Sequence, residues 1–419
     1  MTYIEFFDKN AAENICACLA NPPERVVLVG GSPNVIKRHI ERYQALFNGE
    51  ERNCNVEFLY RSVNQYQLDK IVETLSNIVE EYDDCVFGLT GGGELYLVAM
   101  GIVKERYKHK NIQMHRFNLR NNTIYDCDQD GKTVFEGKLP KLTVAENIRI
   151  YGGDVVTSEI KSDATYKWDM NDEFKQDIRD MWEICRKKPG SWNSQINGFA
   201  ALASVGDESL DKLSYSATRK QLDIYYEKHD MKSVYKQWII AALLEKGLLT
   251  EYGEKNGRQY IGFKNEQVKR CLVKAGQVLE MKMFLSALEA RDENGELVYN
   301  DVVNGVYIDW DGKIHSDGKT QDTDNEIDIL MMHGIVPVFV SCKNGKIETE
   351  ELYKLNSVAE RFGGGYAKKV LVAASLGHSK SNEALRQRAR DMGIRVIEEL
   401  KDKSDEALSA VMGNLWSSN

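Results

Sequence analysis

The chain has 419 residues, with 55 Lys and Arg against 64 Asp and Glu, a formal charge of −9. At about 150 residues per domain this length predicts two or three packed units. The acidic balance excludes a protein that coats nucleic acid over its whole surface, and six prolines leave little room for disordered linkers.

Eight cysteines include one C-x-C and no C-x-x-C, and none stands with a histidine at zinc spacing, which speaks against a structural zinc. The first residues lack a basic segment leading into an apolar core, and no apolar stretch approaches the roughly 18 residues that span a bilayer. The expectation is a cytoplasmic protein with reduced thiols and no membrane partner.

In chain order, Arg25 opens the run RVVLVGGSP, a buried strand ending in a tight turn at Gly30, Gly31 and Ser32. A helix is expected from Val35 to Phe47, a strand at 54–60, a helix from Gln67 to Tyr82, a strand at 85–94 ending in Thr90-Gly91-Gly92-Gly93-Glu94, a helix to Tyr107 and a strand at 112–119. Strands alternating with helices predict an α/β, doubly wound, Rossmann-like sheet. In such sheets ligands bind outside the carboxyl ends of the strands, where both glycine clusters fall. Backbone N–H groups there can approach an anion, and Ser32 and Thr90 add hydroxyls. The competing reading is that these glycines only make tight turns. Neither a P-loop nor G-x-G-x-x-G is present, which argues against ATP hydrolysis and NAD chemistry.

A hairpin is expected at 123–137, then a helical region from Asn171 to Ala203. Ser233 to Gly247 reads as a helix, followed by two strands around Asn256-Gly257, and helix plus β-ribbon resembles a winged helix. Residues 151–262 carry 16 basic and 18 acidic side chains, so a spacer or dimerisation role is favoured over DNA binding.

The C-terminal segment 263–419 sets an acidic stretch, 301–350 with a net charge of −6, before a basic one, 351–395 with +5. That suits a cation site beside a polyanion path. Val268 to Ala290 reads as one helix, with Glu280 among apolar neighbours and therefore in need of a partner. Residues 325–330 and 336–345 read as strands, and a hairpin centred between Gly334 and Ile335 would set Asp328 opposite Ser341 and Glu326 opposite Lys343. Two carboxylates and a lysine on one face suit metal-assisted phosphodiester hydrolysis; a solvated hairpin face with casual ion pairs is the alternative. Asp301 and Asp309 are reserve candidates for the acidic site. His333, His378 and Trp310 read as structural or surface residues, and Cys342 as a strand residue offering its carbonyl.

The order Gly276-Gln277-Val278-Leu279-Glu280, Asn325-Glu326-Ile327-Asp328, Ser341-Cys342-Lys343-Asn344-Gly345 and Phe362-Gly363-Gly364-Gly365 before the strand KKVLVAAS resembles the PD-(D/E)xK nuclease domain of CRISPR ancillary nucleases that carry an N-terminal CARF sensor. The turns VVLVGGSP and LTGGGE resemble CARF strand ends. The resemblance implies a CARF-like sensor at 1–150, a linker and winged-helix-like segment at 151–262 and a restriction-endonuclease-like domain at 263–419. It also implies a homodimer that binds a cyclic oligoadenylate, most often cyclic tetra-adenylate, through Gly30–Ser32 and Thr90–Glu94, and then cleaves DNA or RNA with Mg²⁺ or Mn²⁺. Glu326 and Asp328 would be metal ligands, Glu280 the leading acid and Lys343 the catalytic lysine. Ser341 stands where the general pattern has Asp or Glu, so a second metal would lean on Glu280, the Cys342 carbonyl or water. Two alternatives stay open: a cyclic-oligoadenylate-responsive DNA-binding regulator with an inactive nuclease domain, and a sensor that degrades its own ligand.

Overall fold

A computed structural model describes residues 1–49, 52–118, 123–157, 164–312, 324–345, 347–374 and 376–417, organised around three sheets. The first holds β1 (Thr2–Phe6), β2 (Arg25–Gly30), β3 (Glu57–Ser62), β4 (Cys85–Gly88), β5 (Gln113–Asn118), β6 (Thr123–Cys127) and β7 (Thr133–Lys138), in the order β3-β2-β1-β4-β5-β6-β7. The first five are parallel, and β6 and β7 extend them as an antiparallel hairpin. Alternate strand residues serve opposite faces. Tyr3, Val26 and Leu28 join α1 (Cys16–Ala20) and α2 (Pro33–Asn48) in one core, whereas Ile4, Phe6, Val27 and Val29 pack with α3 (Leu68–Glu81) and α4 (Glu94–Arg106) in another.

The central strand β1 has no counterpart among the sequence expectations, because Glu5 interrupts its apolar run. In the fold Glu5 is buried and bonded to His115 Nε2 at 2.6 Å, so the carboxylate has a partner inside the sheet, while His115 Nδ1 is buried without one. With β1 between β2 and β4, the Gly30–Ser32 and Thr90–Gly93 turns flank the end of β1.

After α5 (Val144–Ile150), the short β8 (Asp154–Val155) pairs with a strand of the C-terminal sheet. The middle region contains α6 (Asp172–Cys185), α7 (Pro189–Val205), β9 (Asp207–Glu208), β10 (Ser214–Thr218), α8 (Arg219–Lys228), α9 (Gln237–Glu245), β11 (Leu249–Lys255) and β12 (Arg258–Phe263). Its sheet runs β11-β12-β10-β9, and the β11–β12 hairpin turns on Asn256 and Gly257, both at positive φ, as the Asn-Gly pair predicts. The helix expected from Ser233 starts only at Gln237.

The C-terminal region holds α10 (Glu266–Val273), α11 (Gln277–Leu288), β13 (Asp301–Asp309), β14 (Asp324–His333), β15 (Val336–Lys343), α12 (Thr349–Gly363), β16 (Lys368–Ala373), α13 (Lys380–Asp391), β17 (Ile394–Ile397) and α14 (Asp405–Gly413), with sheet order β17-β16-β15-β14-β13-β8. The single helix expected over 268–290 is instead two, broken at 274–276, where Gly276 takes φ +94°, a conformation that ends one helix and re-aims the next. The N-terminal and C-terminal regions are tied together directly. Asn10 Oδ1 accepts from Gly365 N at 2.7 Å, Tyr366 donates to Glu13, and Asn147 Nδ2 donates to Phe362 O at 2.7 Å. Among the described residues no helix is long and apolar enough to cross a membrane, and all eight cysteines are unpaired.

Candidate active site

The β14–β15 hairpin has the expected register, from His333 opposite Val336 to Ile329 opposite Val340. At Asp328 the carboxylate takes over: its Oδ2 accepts from Cys342 N at 2.5 Å and from Ser341 Oγ at 3.2 Å. Ser341 thus lies beside Asp328, as expected, and the Lys343 charge also acts on Asp328. The expected partnership of Glu326 with Lys343 is not made. Glu326 bonds Lys274 Nζ at 2.7 Å, and Lys343 Nζ bonds Glu351 at 2.8 Å. Each long side chain has found a nearer opposite charge on a neighbouring helix or loop, which a two-strand register cannot foresee.

Glu280 lies in the first turn of α11, 5% exposed, and its Oε2 is buried with no hydrogen-bond partner. Burial above all, and then the neighbouring Asp328, push its carboxyl up to about 8, against the pull of Lys274 and Lys343. Burial likewise raises Asp328, while the Cys342 amide and Lys343 oppose it. For Lys343, burial works to lower the ammonium, but Glu351 and Asp328 outweigh it and hold it above its ordinary value. Lys274 is pushed up to about 12, with Glu280 and Glu326 overcoming the cost of its burial.

The expected acids do not form a ready-made cage: among the described residues no three His, Cys, Asp or Glu side chains are grouped so that they could hold a metal ion. The residues nonetheless fit a cation. An orphaned, buried carboxylate oxygen beside a second raised carboxylate is the arrangement a divalent ion neutralises, and hard oxygen donors suit Mg²⁺ or Mn²⁺. Cys342 contributes its amide to Asp328, and burial raises its thiol, so nucleophilic chemistry at its sulfur is disfavoured.

The remaining candidates lie apart. Asp301 Oδ2 accepts from Val144 N at 2.7 Å, and Asp309 is buried opposite Asp324 in the β13–β14 ladder. Trp310 packs edge-on against Phe362 and donates to Asn325, and His333 stacks on Trp416 while bonding Val298 O. His378 is exposed. Lys274 and Glu351 were not legible as site residues. Lys274 lies in the break between α10 and α11, and Glu351 stands at the start of α12, eleven residues before Phe362, the nearest motif residue of that helix.

At the strand ends of the N-terminal sheet much of the glycine content answers to packing. A Cβ on Gly91 would come 2.4 Å from Phe6 O, one on Gly30 would come 2.9 Å from Ile36 Cδ1, and Gly92 has φ +80°. Thr90 Oγ1 accepts from Phe117 N at 3.3 Å. Gly31, Ser32, Gly92, Gly93 and Glu94 are exposed, and Ser32 heads α2 without capping it through its side chain. The two turns therefore form an open rim on either side of the β1 end.

Residues 276–408 match the model of the Card1-like endonuclease domain. No curated protein matches the chain. Among solved structures, the protein VC1899 from Vibrio cholerae is similar with a TM-score of 0.71 at 15% identity, over 99% of this chain and 97% of that one. Can2 from Sulfobacillus thermosulfidooxidans, solved in complex with cyclic tetra-adenylate, is similar with a TM-score of 0.64 at 16% identity, over 100% of this chain and 99% of that one. Glu280, Glu326, Asp328, Ser341 and Lys343 all fall inside the matched segment. The resemblance to CARF-domain CRISPR nucleases is thereby supported: residues 276–408 match a Card1-like endonuclease domain, and the chain as a whole is similar in fold to Can2.

Proposed function

We propose that the protein is a nuclease of CRISPR antiviral defence, switched on by a cyclic oligoadenylate, cyclic tetra-adenylate by preference, and dependent on Mg²⁺ or Mn²⁺ to hydrolyse phosphodiester bonds of DNA, RNA or both. The observation that carries this reading is the orphaned Glu280 carboxylate oxygen beside Asp328 and Lys343, inside the segment matching an endonuclease domain. Glu280 and Asp328 would hold the ion, with Glu326 exchanging Lys274 for it and the Cys342 carbonyl as a further donor. When bound, such an ion acidifies a water and neutralises charge on the phosphate. Asp328 is already oriented by the Cys342 amide and Ser341, and Lys343 supplies an ammonium for the non-bridging oxygens once released from Glu351.

Activation would enter at the exposed rim Gly31, Ser32, Gly92, Gly93 and Glu94, with Gly30, Thr90 and Gly91 shaping it. A ring ligand with two-fold symmetry fits a two-fold dimer, so the working unit is a homodimer. The route onward is physically continuous: the loop after β1 carries Asn10 and Glu13 to Gly365 and Tyr366, and α12 carries Glu351 to Lys343.

Labelled DNA and RNA incubated with Mg²⁺ or Mn²⁺ and, separately, cyclic tri-, tetra- and hexa-adenylate test this directly. Cutting should require both metal and one of the rings, and Asp328→Ala should abolish it. Absence of cutting under every combination would refute the nuclease reading, and retained DNA binding would then favour the regulator. Ligand turnover that survives Asp328→Ala would point to the sensor as a ring-degrading unit.

A further inference from the structure

Beside Glu326 and Lys274 lies a cavity of about 240 Å³ that the nuclease chemistry above does not use. At ~30 Å³ per water it holds about eight waters, room for one nucleobase and too small for a base pair. Three features make it suitable for a base. The Arg270 guanidinium sits 4.1 Å from the centroid of the Tyr166 ring, a planar cation on one aromatic face, Trp168 meets the same ring edge-to-face at 4.8 Å, and Tyr307 adds a further ring to the lining. Such planes are what unpaired bases stack on. Gly305, in the middle of β13, has φ +61°, and a Cβ there would have only Glu326 Oε1 within reach, at 4.0 Å. Its left-handed backbone favours glycine, and with no Cβ there the cavity floor is left open, as at strand glycines where a ligand approaches closely.

The third feature is an amide pair. Gln277 and Asn304 are both buried and both line the cavity. Asn304 is committed: its Nδ2 donates to Asp328 O at 2.9 Å, and its Oδ1 accepts from Trp168 Nε1 at 3.0 Å. Gln277 Nε2 makes one long contact, 3.4 Å, to Asn304 Oδ1, and no described group donates to Gln277 Oε1. A free amide acceptor in a cleft reads an exocyclic amino group.

We infer that the cavity between Tyr166, Arg270 and Gln277 is a subsite for a single unpaired nucleobase, next to the phosphate that is cut, and that it selects bases carrying an amino group. The inference rests on the nuclease reading for what lies beside it, but it can fail separately. Cavity and acids are joined through Glu326, which lines the one and belongs to the other, and through Asn304, bonded to the Asp328 carbonyl.

The test has two arms. In the first, cut ends from a random-sequence single strand are sequenced with metal and activator present. The base at one fixed offset from the cut should be skewed toward amino-bearing bases. Tyr166→Ala should flatten that skew and raise the half-saturating substrate concentration at least fivefold, about what loss of ~1 kcal/mol of stacking gives. Tyr166→Phe should restore both, and Gln277→Leu should alter the base preference more than the half-saturation. Cutting with an unchanged base distribution in Tyr166→Ala would overturn the subsite and leave the nuclease standing. The second arm needs no cutting: a single strand containing 2-aminopurine should be quenched by the intact protein and by Tyr166→Phe, and not by Tyr166→Ala. Equal quenching by all three, or by none, would overturn the subsite whatever becomes of the nuclease reading.

Discussion

The two candidate sites are built on opposite principles. The N-terminal rim is made mostly of backbone: exposed turns flanking the end of β1, with Ser32 and Glu94 as its polar side chains. The nuclease-like site is made of side chains held against their own electrostatic preference, with Glu280 raised to about 8 and orphaned and Asp328 raised beside it. A rim of turns costs the fold little. A buried carboxylate beside a half-buried one stores unfavourable free energy that a cation, a proton or a lysine relieves. Substitutions at the first should therefore trade stability and ligand affinity separately, whereas those at the second should couple catalysis, metal and pH.

The largest effect is expected at Asp328. Replacement by Ala should lower activated cleavage by roughly a hundredfold or more, measured on labelled substrate, and should also remove any rise in unfolding temperature on adding Mn²⁺. A Mn²⁺ shift that persists in the variant would place the ion elsewhere.

Glu280 comes next. Because its folded-state value lies above the ordinary carboxylate range, the folded chain holds a proton that the unfolded chain gives up. The metal-free protein should then lose stability as pH rises from about 4.5 toward 8. Glu280→Gln should flatten that decline and raise the midpoint near pH 8, as thermal unfolding across the range would show. A parallel decline in the variant would remove Glu280 as its source.

Asn10 probes the link between the two regions. Asn10→Ala removes the acceptor for Gly365 N and should lower activator-stimulated cleavage about tenfold, within the usual span of coupling energies, while ring binding measured by calorimetry stays the same. Loss of binding itself would mean that Asn10 serves the rim and not the link.

The smallest effects separate the two readings of the rim. Gly92→Val meets φ +80° and the Phe6 Cβ at 2.7 Å, and should cost about 1–3 kcal/mol in denaturant unfolding whether or not ligand is present. Ser32→Ala breaks no capping bond, so stability should hold while ring affinity falls about fivefold, the value of one hydrogen bond. If both variants change stability alone, the glycine clusters are turns and the ligand binds elsewhere.

Local pattern carried a good deal of this. The alternation of apolar runs and helical periods in the first 120 residues is short-range, and the structure reproduces it from β2 onward. Asn256-Gly257 and Gly334 place their hairpins because positive φ is cheap there, and the β14–β15 register follows from the turn, which sets Asp328 beside Ser341. The buried Glu280 was recognisable as a carboxylate in want of a partner.

What the sequence could not express is which distant groups meet. Glu5 hides the central strand because its partner His115 lies 110 residues away. Lys274 and Glu351 capture Glu326 and Lys343 only because the break at Gly276 and the start of α12 bring them within ion-pair distance. The cavity at Tyr166 exists only where a loop, a helix and a strand close on one another. Side-chain periodicity and turn chemistry are settled within a few residues of backbone. Partner choice among long charged side chains is settled by distance and burial, and those are properties of the folded chain alone.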